Sequence, residues 1–300
     1  MKIEICNSSL VILNCKSILK TIYHKTTPVT GTLPFYQFLI FILIFSFNAN
    51  AQLNEVHNEW GNYFEKFKVK GSIVVYDLKQ DKYYFYNRAQ YTVPFTPAST
   101  FKILNSLVAL QTKVAPDENF ILKWDGKDRG NEAWNVDTDL KTAFKNSTVW
   151  YYQELARRAG EKKMKKYVKK SKYGNKDISG GIDQFWLTGG LRITPEQQID
   201  FLVKLYKNKL CFKKHNLEIV KQMMIQEDTL GYVLRGKTGW GADMKKNIGW
   251  YVGYVTTSTN VFFFATCIQD EAMENKDFSK SRLIITRRVL RDLKIIPEAE

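Results

Sequence analysis

The 300-residue chain is 44% hydrophobic, 14% aromatic and 25% charged, with only 7 prolines; that is enough apolar mass for a sizeable core and excludes a disordered polyelectrolyte. Its net charge of +15 invites a nucleic-acid reading, but no zinc-finger, helix-turn-helix or RNA-binding signature accompanies the charge. The three histidines (His24, His57, His215) form no cluster and no HExxH occurs, so metal chemistry is not signalled.

Residues 1–51 read as a leader. Phe35 to Phe47 is a thirteen-residue run without charge, too short for an ordinary membrane span and the right size for a signal-peptide apolar region. Ala49-Asn50-Ala51 supplies a small-x-small cleavage site, so the mature chain is expected to start at Gln52 and to be periplasmic or secreted. The alternative is an uncleaved anchor, which the long stretch before the apolar run favours; Lys2, Lys16, Lys20 and Lys25 face one acid there, Glu4. Cys6 and Cys15 fall in this leader, while Cys211 and Cys267 lie far apart without ligand spacing and are expected as separate thiols.

Downstream, Gly71–Asp77 is a buried-type strand, Lys79–Asp81 a turn and Lys82–Asn87 its hairpin partner. Residues 98–230 read as mainly helical. Within them, Glu161–Lys176 holds eight lysines and one acid, expected as a solvated helix face, with attraction to an anionic surface as the milder functional version. Tyr232–Lys237, Gly249–Val255 and Val261–Ile268 read as three more strands, and Arg282–Leu293 as a closing amphipathic helix. Residues 52–300 are thus expected as one α+β domain. An antiparallel sheet comes from both chain ends (52–97 and 231–300), with a helical part (98–230) inserted between and a cleft where the two meet.

The chemistry begins at Pro97-Ala98-Ser99-Thr100-Phe101-Lys102. Pro97 suits a helix start, and a spacing of three puts Ser99 and Lys102 on one side. The apolar residues that follow predict a buried helix, where desolvation favours a neutral lysine amine beside the serine hydroxyl. Alone, Ser-x-x-Lys is weak, since Ser17 to Lys20 also matches. Lys237-Thr238-Gly239 is either a hairpin rim or a strand edge offering a cation and a hydroxyl to a carboxylate. Ser147 or Asn146 reads equally well as an N-cap, Tyr173-Gly174-Asn175 as a turn, and Trp186 as core.

Taken in order, Ser99-x-x-Lys102, Ser147-x-Val149, Tyr173-Gly174-Asn175, Trp186-x-x-Gly189 and Lys237-Thr238-Gly239 resemble the motif series of the class D, oxacillinase-type β-lactamases. The likeness runs over roughly residues 55–298. It implies a penicillin-recognising serine-transferase fold that hydrolyses small-molecule β-lactams, confers antibiotic resistance, and needs no metal or organic cofactor. It implies no nucleic acid and no stable membrane partner, and leaves the oligomeric state open.

In that likeness Ser99 is the acylated nucleophile. Lys102 takes up carbon dioxide on its amine to become a carbamate base, with Trp186 donating its indole N–H. Ser147 and Lys237 pass a proton to the departing nitrogen, and the N–H groups of Ser99 and Trp240 form an oxyanion hole. Thr238, Gly239 and Arg282 receive the substrate, Arg282 at its carboxylate, while Val149 and Leu187 shield the carbamate. Unlike the Ser-Asp-Asn and glutamate pattern of class A enzymes, Ser-x-Val leaves no obvious carboxylate base. Gly190, Cys211 and the stretch 240–247 depart from the family pattern, which leaves the substrate range open. A non-hydrolytic β-lactam-sensing receptor domain and a penicillin-binding transpeptidase are the competing readings.

Overall fold

The computed structural model describes residues 54–243, 246–271 and 275–298; the leader and its cleavage site lie outside these residues. Strand β2 (Lys70–Asp77) shows what organises the rest. Ile73 and Val75 enter one buried cluster and Val74 another, so its uninterrupted apolar run marks a strand covered on both faces. Strands β6 (Lys246–Thr257) and β7 (Val261–Asp270) alternate in the same way: Trp250 and Val252 face one side, Tyr251 and Val255 the other.

These strands join β1 (Asn54–Val56), β3 (Lys82–Tyr86), β4 (Ile225–Asp228) and β5 (Tyr232–Asp243) in the order β1-β3-β2-β7-β6-β5-β4. The pairings are antiparallel except β1 with β3, which is parallel. Two details correct the sequence reading. The sheet is not wholly antiparallel, because the chain enters beside β3 before it turns into α1 (Gly61–Lys66). And β4 lies inside the segment read as helical; its IQED sequence alternates half-buried and exposed, as a short edge strand does.

One face of the sheet packs on α1 and α8 (Phe278–Asp292) through Phe64, Phe278, Ile285 and Val289. The other receives the larger core, supplied by α2 (Lys102–Gln111), α3 (Leu140–Lys145), α4 (Val149–Ala159), α5 (Glu161–Lys170), α6 (Pro195–Tyr206) and α7 (Lys214–Met223). Local chemistry sets several boundaries. Thr194 and Gln197 close a reciprocal capping box with Pro195 at the first turn of α6, and Asp139 accepts from the Thr142 N–H to start α3. Helix α2 is buried from Lys102 to Leu110, apolar nearly all round as an internal helix must be. Each of its fully buried leucines contributes about 1.5–3 kcal/mol, and their packing fixes the position of the helix that carries Lys102. Cys211 is exposed and Cys267 buried, both as free thiols. Among the described residues no helix is long and apolar enough to cross a membrane.

Candidate active site

Ser99 lies in a 3-10 turn, Ala98–Phe101, that runs directly into α2. Ala98 before it adopts φ +47°, a left-handed conformation that costs an alanine about 1–2 kcal/mol. The turn is held there by the Ala98 N–H on the Trp186 carbonyl (3.0 Å) and by Thr100, which donates to the Pro97 carbonyl (2.8 Å) and accepts from Gln198 (2.9 Å). Strain of this kind, overdetermined by its surroundings, is what a positioned nucleophile shows. The Lys102 amine donates to Ser99 Oγ at 2.7 Å. Lys102 is fully buried, its amine 5.2 Å from the Tyr152 ring centre. Burial first, and the positive charge of Lys237 second, hold that amine well below the usual lysine range.

A second pair is assembled from residues ninety positions apart. Lys237 Nζ donates in a short contact to Ser147 Oγ, and reaches the Thr238 carbonyl at 3.2 Å. Ser147 is not the cap of α4; Thr148 takes that position, and Ser147 stands one residue earlier at φ +54°. Lys237 is buried and held down to about 7 by loss of hydration and by the charge of Arg282. Arg282 on α8 is itself buried, lowered to about 10 by desolvation, and its Nε and Nη1 have no hydrogen-bond partner among the described residues. A buried guanidinium with open donors has the chemistry to pair with an anion.

Lys237-Thr238-Gly239 is not a hairpin rim. Strand β5 runs on to Asp243, while β4 pairs only with Val233–Arg235, so the far side of β5 carries no strand beyond that point among the described residues. The Gly236 N–H points to that side, onto the Met224 carbonyl (2.8 Å). By the period of two, the N–H groups of Thr238 and Trp240 point the same way, along an open edge. Gly239 brings this edge onto the serine turn: a Cβ there would stand 3.0 Å from the Pro97 carbonyl oxygen and 3.1 Å from Thr100 Cγ2. The Trp240 ring is exposed at the rim, 54%, with its indole N–H on Asn247 (3.1 Å) and its face 6.0 Å from Phe278.

Trp186 is fully buried, stacked on Phe101 at 5.3 Å, and its indole N–H has no partner among the described residues. Tyr173-Gly174-Asn175 braces the return from this loop: Asn175 donates to the Gly190 carbonyl (2.8 Å) and accepts from the Arg192 N–H (3.1 Å). Gly189 is required here, since a Cβ would fall 2.3 Å from the Ser179 carbonyl oxygen and 2.5 Å from Phe185 Cα, both backbone. Val149 opens α4 and Leu187 packs against the larger core, both half-buried. Phe101, Tyr152 and Gln198 were not legible as site residues, because their partners are set by tertiary packing. Among the described residues no three His, Cys, Asp or Glu side chains gather as a metal site needs.

The profile of the penicillin-binding protein transpeptidase domain matches residues 47–291. β-Lactamase OXA-48 of Klebsiella pneumoniae is 42% identical over 83% of this chain and 93% of its own length. The solved class D β-lactamase YbXI from Nostoc is 48% identical, with TM-score 0.76, over 79% of this chain and 99% of its own. The chain belongs to the class D β-lactamase family. The C-terminal domain of the Bacillus licheniformis BlaR penicillin receptor is also similar: 36% identity and TM-score 0.77, over 83% of this chain and 99% of that domain.

The charge pattern of this class D site has a thermodynamic signature. Lys102 and Lys237 are both depressed relative to the unfolded chain, where a lysine titrates near roughly 10.4. Between about pH 7 and pH 10 the unfolded chain binds a proton at Lys237 that the folded one does not, so stability rises with pH by up to ~1.4 kcal/mol per unit, and Lys102 acts in the same direction. It is lost again as the pH falls. Urea unfolding at about pH 7.5 and pH 9.5 is expected to show a smaller gain in Lys237→Met than in the wild type. Equal gains would show that Lys237 is not held neutral by the fold.

Proposed function

We propose that this chain opens β-lactam rings by way of an acyl-enzyme on Ser99 and then hydrolyses that ester, conferring resistance to the antibiotics it destroys. The 2.7 Å contact between Ser99 Oγ and the buried amine of Lys102 carries the reading, because it pairs a nucleophile with a base that burial keeps neutral.

The substrate enters along the open edge of β5 with its carboxylate toward Arg282 and Thr238. Ser99 Oγ attacks the lactam carbonyl and its proton passes to the Lys102 side chain. The N–H groups of Ser99 and Trp240 face the oxygen on which charge develops. As the C–N bond breaks, Ser147 gives its proton to the ring nitrogen and recovers one from Lys237, whose affinity near about 7 suits exchange at neutral pH. Once the proton taken from Ser99 has left Lys102 to replace the one Lys237 gave up, a water attacks the ester carbonyl and passes its proton to Lys102, which returns it to Ser99 Oγ as the ring-opened acid departs.

The surroundings of Lys102 fit a carboxylated amine. The amine is neutral enough to react, Lys237 supplies a nearby positive charge, and Trp186 holds a buried N–H with nothing to donate to. Carbon dioxide added there supplies an anionic carbamate, a general base for both acylation and deacylation. Val149 and Leu187 are assigned to keep bulk water from it. Export after cleavage before Gln52 accompanies this function.

Likeness to the penicillin receptor domain favours a second reading, a sensor that is acylated and stays so. Acylation at Ser99 is common to both and is tested first. Intact-mass and peptide mass spectra of the exported protein, trapped with a slow penicillin, are expected to show a chain starting at Gln52 and one drug mass on the peptide holding Ser99. Label on another residue would overturn the assignment.

A further inference from the structure

Helix α5 carries Lys162, Lys163, Lys165, Lys166, Lys169 and Lys170, all exposed. At about 100° per residue they spread over an arc of about 160° opposite Met164 and Val168, the two buried residues that pin the helix to the core. The ring of Tyr167 stacks on Phe212 at 5.1 Å, which joins this face to the segment between α6 and α7. That segment adds Lys207, Lys209 and Lys213, and the start of α7 adds Lys214, all exposed. None of these ten lysines forms an ion pair among the described residues. The neighbouring acid Glu218, whose charge reaches Lys214, is already paired with Lys221 at 3.0 Å.

We propose that this joined basic face docks the enzyme on the anionic phospholipid headgroups of a bilayer. The catalytic mechanism uses none of these residues, and holding so many like charges unpaired side by side stabilises nothing in the fold. Six of these lysines share the outward arc of one helix, which presents them together to a planar array of charge. Tyr167 is half-buried and Phe212 buried, so no aromatic platform is offered to unpaired bases. No large apolar side chain stands exposed in either segment, so attachment rests on charge alone and is reversible, without insertion. The consequence is a hydrolase concentrated at a membrane surface without an anchor in its catalytic unit.

The protein to test is the unit Gln52–Glu300, whose solved relatives, covered over 99% and 100% of their length, fold without further domains. It is sedimented with phosphatidylcholine vesicles and with vesicles containing about one-third phosphatidylglycerol. Binding is expected only to the anionic vesicles at about 0.1 M salt, and is expected to be lost at about 1 M, where the screening length falls from about 10 Å to about 3 Å. A variant carrying Lys162→Gln, Lys165→Gln, Lys166→Gln and Lys169→Gln is expected to bind on the order of 1000-fold more weakly, while turning over a soluble substrate as the wild type does. Equal binding to neutral vesicles, or undiminished binding by the variant, would overturn the proposal. So would tighter binding to short duplex DNA than to anionic vesicles at equal salt.

Discussion

Replacing Ser99 with alanine is expected to lower kcat by ~10⁵-fold or more, the scale of loss when an acylated nucleophile is removed. The oxygen that forms the ester is gone and no neighbour can replace it: Thr100 is committed to the Pro97 carbonyl and Gln198, and Ser147 to Lys237. The fold should survive. Ser99 Oγ accepts from the buried Lys102 amine, and removing it leaves that donor without this partner, so the stability loss is about 1–3 kcal/mol. Steady-state hydrolysis and a thermal melt check both halves together. A variant that keeps more than about 1% of activity, and still melts as a folded protein, would show that another group is acylated.

Lys102→Met is expected to be nearly as damaging to turnover and to leave, or even raise, stability. The methionine fills a similar volume, and the change removes a fully buried amine that the fold holds far from its preferred protonation. Loss of a general base costs about 10²–10⁴-fold in each step it serves. Deacylation suffers more, since water needs a stronger base than a serine already in place. The variant should therefore be acylated slowly and stay acylated. The same logic makes the wild type sensitive to carbon dioxide. As pH falls, Lys102 is protonated and cannot react with it, so degassed, mildly acid buffer is expected to give slow or biphasic hydrolysis that bicarbonate restores. Trp186→Phe should steepen that dependence, because it removes the buried indole N–H and keeps most of the stacking on Phe101. Rates indifferent to bicarbonate in both proteins would point to another base.

What was legible in the sequence follows from where the physics is local. Strands β2, β6 and β7 announce themselves because runs such as Ser72-Ile73-Val74-Val75 are buried on both faces, and β3 through its aromatic run beyond the turn. The sequence pattern ends β5 at Lys237, whereas the strand continues to Asp243. Gly239 and Gly241 erase the apolar alternation there, and the reason for them, the approach to Pro97, Ala98 and Thr100, is tertiary. Strand β4 was missed because four residues on an edge carry too little pattern to separate from the helix before them. In the site, Ser99 and Lys102 were visible through a spacing of three and an apolar helix. The contact of Ser147 with Lys237 has no local signal, and only the resemblance of ordered motifs brought the two together. The left-handed backbone at Ala98 and the stacking of Phe101 on Trp186 were not readable at all, since both depend on a loop almost ninety residues away.

Hydrolysis rather than capture is the central claim, and counting turnovers tests it most directly. Enzyme mixed with a large molar excess of a chromogenic cephalosporin is expected to release chromophore until the substrate is exhausted, many equivalents per molecule, with no drug mass left on Ser99 at the end. One equivalent released in a single burst, with Ser99 still carrying the drug, would contradict the account and make the chain a receptor.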